Sequence, residues 1–242
     1  MKKKRYRIRK ALVGLLIVFL CFVLGIFAFF GVKGYRMYQV AIAEKSLDER
    51  VEEIRNTDNF TTYSDLPQFY IEATISVEDH RFEEHHGIDL IAIARAAWTD
   101  IRSMSFVEGG STITQQFIKN LLFTQDKKME RKVAEVFAAL KMESNYTKEE
   151  IFELYANTVY FGNGYYGIYQ ASMGYFGKEP SELTDYESAI LAGIPNAPSV
   201  YSPDTNIELV SQRAKQVLNS MIRNKLITKE EAERIEEDNN RD

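Results

Sequence analysis

The chain has 242 residues, 45% hydrophobic and 27% charged, with only 5 prolines and 13 glycines, so it is not disordered and is large enough for a sizeable core. Its net charge of -5 combines a basic first stretch, MKKKRYRIRK, with an acidic last one, EEAERIEEDNNRD, which argues against a generic nucleic-acid binder because the basic residues are not spread over the folded part. The single cysteine, Cys21, excludes an intrachain disulfide and a cysteine-based metal site.

An uncharged run follows the basic stretch. Residues 11–32, ALVGLLIVFLCFVLGIFAFFGV, amount to about 22 residues, or roughly 33 Å of helix, which is long enough to cross a bilayer. A cleaved signal peptide would have a shorter apolar core followed by a small-residue cleavage site, whereas Lys33 and Arg36 come next here. The run therefore predicts an uncleaved transmembrane anchor.

The basic stretch sets the predicted orientation of that anchor. Lysine and arginine accumulate on the cytoplasmic side of a membrane, so residues 1–10 are predicted to form a cytoplasmic tail. Residues 33–56 are predicted as a juxtamembrane stalk that is helical from Met37 to Arg55, and residues 57–242 as an extracellular domain.

Helical periodicity continues through most of the outer domain. It predicts helices over Leu66–Val77, Ile88–Trp98, Lys127–Ser144, Leu183–Gly193, Glu208–Lys225 and Thr228–Glu237, with one more after a capping box of Thr147 and Glu150. The predicted buried stripe of the Lys127–Ser144 helix is Val133, Val136, Phe137 and Leu140. The apolar run from Phe117 to Phe123 either touches membrane lipid or forms a core helix. Strand signals are weak, so the predicted domain is mainly α-helical.

Titratable side chains are concentrated from Val77 to Gly87, in the sequence VEDHRFEEHHG. This stretch holds all 3 histidines of the chain together with Glu78, Asp79 and other charged residues. Because an amphipathic helix leads into it, the stretch is held in a fixed place and is a candidate catalytic cluster. A solvated, charged helix end is the alternative.

Two further motifs follow this cluster. Residues 104–110 interrupt the helical pattern, and GGSTITQQ, residues 109–116, then supplies hydroxyls and free backbone donors in a flexible loop, although a plain linker is the alternative. Arg131, Lys132 and Glu135 share one face of their helix, where they bind an anion or form an ordinary set of ion pairs.

The joint order of the motifs is more specific than any one of them. The motifs are Glu78-Asp79-x-x-Phe82-x-x-His85-x-Gly87, Gly109-Gly110-Ser111-Thr112-Ile113-Thr114-Gln115-Gln116, Lys119-Asn120, Arg131-Lys132-x-x-Glu135 and Lys148-x-x-Ile151-x-x-x-Tyr155-x-Asn157. From Leu66 to Leu218 the chain resembles the peptidoglycan glycosyltransferases of family 51. The resemblance implies a lysozyme-like helical fold, and polymerisation of lipid II by inverting transfer of the lipid-pyrophosphate-linked chain to the 4-hydroxyl of an acceptor.

The resemblance also implies roles for individual residues. Glu78 is expected to be the catalytic base, and Asp79 is expected to raise its pKa. Glu135 is expected to be the second acidic residue of the site, which chiefly positions cations near the pyrophosphate. The expected substrate-binding residues are Asp79, Ser111, Thr112, Gln115, Gln116, Lys119, Arg131, Lys132 and Asn157. The histidines lack metalloprotease spacing, so His85 is expected to brace the loop.

The same resemblance sets the expected ligands and partners. No dedicated metal ligand set is visible, so a divalent cation, Mg²⁺ or Mn²⁺, is expected only as a bridge on the pyrophosphate, with no organic cofactor. The expected partners are lipid II with the growing glycan chain, membrane lipid and other cell-wall synthesis proteins, without nucleic acid. Inhibition by the phosphoglycolipid moenomycin is also expected.

The chain departs from the family pattern near its end. The last motif of the family carries paired arginines, whereas this sequence has Arg213 followed by Ala214. Neither Ser-x-x-Lys nor Lys-Thr-Gly is present, so the expectation is a monofunctional enzyme without a transpeptidase domain. A glycan-cleaving lysozyme or lytic transglycosylase is one alternative, and an inactive anchored scaffold is another. The adjacent cations Arg131 and Lys132 favour the transferase, because a hydrolase needs no pyrophosphate-binding cations.

Overall fold

The computed structural model describes residues 2–103, 109–123 and 128–238. Its α-helices are α1 (Lys2–Ala43), α2 (Leu47–Arg55), α3 (Gln68–Glu78), α4 (Leu90–Ser103), α5 (Ile113–Leu122), α6 (Met129–Asn145), α7 (Lys148–Thr158), α8 (Ile168–Phe176), α9 (Asp185–Gly193), α10 (Pro198–Tyr201), α11 (Ile207–Arg223) and α12 (Lys229–Asp238). Within these described residues there is no strand, only an isolated bridge between Tyr160 and Tyr166. The prediction of a mainly α-helical domain is confirmed.

Helix α1 joins the predicted anchor to the domain. By length and composition its part Leu12–Ala43 is able to cross a membrane, and its apolar window is not buried in the protein. Beyond residue 32 the helix packs on α6: the rings of Tyr35 and Phe137 lie 5.3 Å apart, and Lys33 pairs with Glu130 at 3.2 Å. The segment predicted as a stalk therefore lies against the domain.

The predicted helix from Met37 to Arg55 is two helices, so that prediction is wrong in detail. The break lies between α1 and α2, where Ser46 accepts a hydrogen bond from the backbone N–H of Glu49 and the Glu49 carboxylate accepts one from the backbone of Ser46. This capping box satisfies the first donors of α2 and starts a new helix in a new direction. Leu47 and Val51 of α2 then enter the core.

The core forms where α3 packs against α9 and α11, and where α5 packs against α6 and α7. Tyr70, Phe82, Phe117, Phe152 and Tyr155 are among its largest fully buried side chains. Because Phe117 lies inside, the run that begins there is a core helix rather than a lipid-facing one. The capping boxes Thr147–Glu150 and Thr228–Glu231 are both present, as predicted.

The burial of α6 differs from its predicted stripe. Its buried residues are Ala134, Glu135, Ala138, Ala139 and Met142, while Leu140 is exposed. The small alanines allow close packing inside the domain, and the larger Val133 and Phe137 instead meet α1. The Cβ of any residue replacing Gly34 would lie 2.5 Å from Val133, so this helix contact requires glycine.

Helix α4 has an apolar face that no described element covers. Leu90, Trp98 and Ile101 are 75%, 67% and 73% exposed, and Ala96 is the only buried residue of the helix. Amphipathic spacing predicted the helix, but it did not predict that its apolar face would remain on the surface.

Candidate functional site

The candidate site is a cleft of about 780 Å³ between the end of α3, the start of α5 and one face of α11. Helix α3 ends at Glu78, and the carboxylate of this residue lines the cleft. Gln116 and Lys119 line it from α5, and Arg213 lines it from α11. Three elements far apart in the chain thus meet around one carboxylate.

Glu78 is nearly inaccessible, with a side chain only 10% exposed. Gln116 Nε2 donates a hydrogen bond to Glu78 Oε2 at 2.7 Å, and the guanidinium of Arg213 lies 3.9 Å from Glu78 Oε1. Burial raises the pKa of Glu78, and this effect outweighs the lowering by Gln116 and Arg213. Asp79 raises the same pKa only as a smaller contribution. A buried carboxylate with a raised pKa is suited to accept a proton.

Asp79 also lines the cleft, but its carboxylate is engaged in organising the loop. Both of its oxygens lie about 3 Å from His85 Nε2, at 3.0 and 2.9 Å, and Oδ2 also accepts the backbone N–H of Ile113 at 3.0 Å. The backbone N–H of Gly87 donates to His85 Nδ1 at 3.2 Å, so Nε2 carries the ring proton and donates to Asp79. Asp79 thereby ties the loop to the N-terminus of α5, where the helix dipole favours a negative charge.

Some residues of the motif GGSTITQQ stabilise the start of α5, and others line the cleft. Thr112 caps α5 by accepting from the backbone N–H of Gln115 at 3.1 Å, and its own hydroxyl donates to the carbonyl of Gly87 at 2.8 Å. Thr112 and Gln115 are both buried. Of the predicted substrate-binding residues in this motif, Ser111 and Gln116 line the cleft. Residues 104–108, within the predicted interruption, lie outside the described residues.

Glu135 sits in a separate ionic cluster beside the cleft. Its side chain is 1% exposed and pairs with Arg131 and, at 3.1 Å, with Lys132. Lys132 Nζ also donates to Ser111 Oγ at 2.7 Å, which connects the cluster to the cleft. The prediction that these three charged residues share one helix face is confirmed.

Lys119 lines the cleft and is close enough to both Glu78 and Glu135 to be influenced by their charges. The pKa of Lys119 is lowered, chiefly by burial and also by the charges of Arg131 and Lys132. The charges of Glu135 and Glu78 oppose this shift without reversing it. A partly desolvated ammonium beside further cations is strongly stabilised when an anion enters. On its α5 side the cleft therefore offers the cation of Lys119 to a phosphate-bearing ligand, while Arg131 and Lys132 lie next to the cleft and not in its lining.

Asn157 lies outside the cleft. Its Oδ1 accepts the backbone N–H of Thr61 at 2.8 Å, and its Nδ2 donates to the carbonyls of Thr61 and Glu153, each at 2.8 Å. The carboxamide thus joins the segment before α3 to the end of α7. Its distance from Glu78 in the fold was not visible in the motif spacing.

Arg213 belongs to the site although it was absent from the predicted substrate-binding set. Its Nε donates to the carbonyl of Gly193 at 3.1 Å, and its guanidinium lies 5.5 Å from the ring centre of Tyr201. Ala214 is fully buried in the core, so a side chain at that position faces away from the cleft. One face of α11 lines the cleft with residues at helical spacing: Arg213, Gln216, Ser220 and Arg223. That spacing is the sequence signal that could have identified Arg213.

Comparison with known proteins places these residues in a family context. The sequence profile of the transglycosylase family matches residues 45–222. The chain is 43% identical over 171 residues to penicillin-binding protein 2D of Bacillus subtilis (strain 168), covering 71% of this chain and 25% of that protein. It is 44% identical over 183 residues to penicillin-binding protein 1F of the same strain, covering 74% and 26%.

A solved structure also matches part of the chain. It is a crystal structure of penicillin-binding protein 1A from Haemophilus influenzae, with 25% identity and a TM-score of 0.44, covering 73% of this chain and 17% of that one. The chain spans about a quarter of the length of the curated relatives it matches.

Proposed function

The chain belongs to the transglycosylase family, whose members are peptidoglycan glycosyltransferases, and from this premise we propose that it polymerises lipid II into glycan strands. The observation that carries the proposal is Glu78, a largely buried carboxylate of raised pKa in a cleft that Lys119, Arg213 and Arg223 also line. One group suited to take a proton and several suited to hold a pyrophosphate thus meet in one place.

The proposed step is a direct displacement at the anomeric carbon of the donor sugar. The 4-hydroxyl oxygen of the acceptor attacks C1, and the O4–C1 bond forms as the bond from C1 to the phosphate oxygen breaks. Glu78 takes the hydroxyl proton, and the lipid pyrophosphate leaves with the bonding electrons. Attack from the face opposite the leaving group inverts the configuration from α to β.

The surroundings of Glu78 suit a base in this step. A hydroxyl is a poor nucleophile, and a carboxylate of ordinary pKa is a weak base towards it. Desolvation raises the pKa of Glu78, which makes its ionised form more basic. Gln116 donates to one carboxylate oxygen and so holds the group in a fixed orientation.

The leaving pyrophosphate needs charge stabilisation rather than an acid. Lys119, with Arg131 and Lys132 beyond it, supplies cations, and the Ser111 hydroxyl next to Lys132 supplies a neutral donor. Glu135 is buried against Arg131 and Lys132, so its proposed role is to hold these cations in position.

A divalent cation is proposed only as a companion of the substrate. The described residues contain no group of three or more potential metal ligands. Glu135 is committed to Arg131 and Lys132, and Asp79 to His85 and the backbone of α5. These carboxylates do not fit a resident metal site, so Mg²⁺ or Mn²⁺ would be held by pyrophosphate oxygens, and no step is assigned to it.

The substrate of this reaction carries a lipid tail, so the proposed place of work is the membrane surface. The apolar helix Leu12–Ala43 and the relatives suggest a membrane-anchored protein. We propose that the basic N-terminus is cytoplasmic and the domain extracellular. The exposed apolar face of α4, with Leu90 and Trp98, would lie in lipid beside the cleft, which α4 also lines through Arg95.

The test is a polymerisation assay of the full chain in detergent micelles with lipid II as the sole substrate. We expect β-linked polymer from the wild-type protein, its loss in Glu78→Gln, and inhibition by moenomycin. A parallel incubation with polymeric glycan distinguishes the hydrolase alternative. Cleavage of that glycan without polymerisation of lipid II would overturn the proposal.

A further inference from the structure

A second cavity lies apart from the cleft. It has a volume of about 500 Å³ and is formed by the segment after α2, the end of α7 and the start of α8. Its lining includes Asp58, Asn59, Asn157, Tyr166, Tyr169 and Gln170. Among the described residues, none lines both this cavity and the cleft around Glu78.

The walls of this cavity are fixed by backbone contacts. Asn157 holds Thr61 through both its amide and its carbonyl, and the backbone N–H of Gly167 donates to the carbonyl of Val159 at 2.9 Å. Gly167 has φ +83°, and a Cβ there would lie 2.5 Å from the carbonyl oxygen of Asn157. Only glycine allows α8 to begin so close to α7, so the cavity is preformed.

The chemistry of the lining differs from that of the cleft. Within the described part of the chain no lysine or arginine lines the cavity, and Asp58 is its one carboxylate. The remaining polar groups are chiefly carboxamides and tyrosine hydroxyls. The side chains of Asp58 and Asn59 are exposed and make no hydrogen bond with other described residues. A phosphate would find no counter-charge here, whereas an uncharged ligand rich in hydroxyls would find both donors and acceptors.

An aromatic platform stands at the same cavity. The ring of Tyr166 packs against that of Tyr160 at a tilt of 37°, with centroids 4.7 Å apart, yet Tyr166 remains 59% exposed. Gln170 Oε1 accepts the backbone N–H of Tyr166 at 3.1 Å, which leaves the Gln170 amide free to donate. A supported ring packs against the apolar face of a pyranose, and neighbouring carboxamides bond its hydroxyl and acetamido groups.

We propose that this cavity binds an uncharged oligosaccharide of β-1,4-linked N-acetylhexosamines, stacked on Tyr166 and hydrogen-bonded by Asn59 and Gln170. The cavity takes no part in the chemistry at Glu78. It is a second glycan site on the same domain, and its ligand belongs to the same chemical class as the product of the proposed reaction. A strand held there would remain on the enzyme after it leaves the cleft.

The test is isothermal titration of the full chain, in detergent micelles, with the β-1,4-linked tetramer of N-acetylglucosamine. Tyr166→Ala and Asn59→Ala remove exposed side chains, so both variants are expected to fold. Each should weaken binding of the tetramer, by about tenfold for Tyr166→Ala, because the stacking ring is lost. The matched control is Lys119→Ala, which alters the cleft and should leave binding at the cavity unchanged.

The possible outcomes separate this inference from the proposed catalytic function. Binding by Tyr166→Ala and Asn59→Ala with wild-type affinity would overturn the second site, as would undetectable binding by the wild-type protein. Loss of all binding in Lys119→Ala would show that the tetramer binds in the cleft, which would also overturn the second site. None of these results depends on polymerisation of lipid II, so an inactive protein that loses tetramer affinity with Tyr166→Ala still supports the cavity.

Discussion

Glu78, largely buried, and Glu135, fully buried, are carboxylates near one cleft, but their surroundings differ in charge. Glu78 receives a hydrogen bond from the neutral carboxamide of Gln116, and its nearest cation, Arg213, stays 3.9 Å away. Glu135 is enclosed by two cations on its own helix, Arg131 and Lys132. Burial alone therefore does not decide what a carboxylate does. A neutral partner leaves Glu78 able to gain a proton, whereas Glu135 is committed to its ion pairs with Arg131 and Lys132.

Removing the carboxylate of Glu78 should have the largest effect on the reaction. Glu78→Gln keeps the shape and the contact with Gln116 but cannot accept the proton, so we expect polymerisation to fall by about 10³-fold. The rate is measured with lipid II, and folding is checked by circular dichroism. A variant within tenfold of the wild-type rate would contradict the assignment of the base.

Removing the charge of Glu135 should have a smaller effect on rate and a larger effect on stability. Glu135→Gln removes the buried carboxylate that pairs with Arg131 and Lys132, so we expect a loss of about 3 kcal/mol in the free energy of unfolding. Because the displaced cations also hold the pyrophosphate, the rate should fall by about 10- to 100-fold. Urea unfolding and the polymerisation assay measure the two quantities. Equal stability of Glu135→Gln and Glu78→Gln would contradict the difference between the two sites.

The pH dependence of the rate should follow the ionisation of Glu78. Burial raises the pKa of Glu78 above its ordinary value of 4.5, and the base acts only when ionised. The rate should therefore fall as pH drops through this raised pKa. Gln116→Met removes a donor that lowers the pKa, so its acid limb should lie at higher pH than that of the wild type. An unmoved limb in Gln116→Met would contradict this account.

The raised pKa of Glu78 affects stability in the opposite direction, because its contribution to stability falls as pH rises whereas the rate increases. The folded protein binds the proton of Glu78 more tightly than the unfolded chain does, so this group stabilises the fold most fully below the unfolded pKa. That contribution is lost as pH rises through the folded pKa. We therefore expect Glu78→Gln to gain stability over the wild type as pH is raised to neutrality, measured by urea unfolding at several pH values.

The smallest expected effect concerns Tyr155, a buried residue close enough to Glu78 to be influenced by its charge. The Tyr155 hydroxyl is fully buried and has no hydrogen-bond partner among the described residues, and burial raises its pKa well above 10.0. Tyr155→Phe removes an unsatisfied polar atom, so we expect a gain of about 1 kcal/mol in stability and a rate within twofold of wild type. Thermal unfolding measures the gain. A loss of stability would show that the hydroxyl has a bonding partner in the folded protein.

Local signals in the sequence determined much of the fold. The uncharged run of residues 11–32, the capping boxes at Thr147 and Thr228, and the apolar periodicity before Glu78 predicted helices that are present, because they depend on neighbours within one or two turns. The ion-pair set on α6 was predictable for the same reason. Periodicity failed where burial depends on distant elements: Leu140 of α6 and Trp98 of α4 fit an apolar face but remain exposed.

The motif order predicted which residues matter, but the contacts of each residue depend on how distant segments pack together. Glu78 and Asp79 are adjacent in the sequence, yet Glu78 contacts Gln116 and Arg213 whereas Asp79 binds His85 and the start of α5. Adjacent side chains at a helix end point in different directions, and their partners come from chain segments dozens of residues away. Packing likewise brought Arg213 to Glu78 and carried Asn157 to a second cavity, which no local spacing encodes.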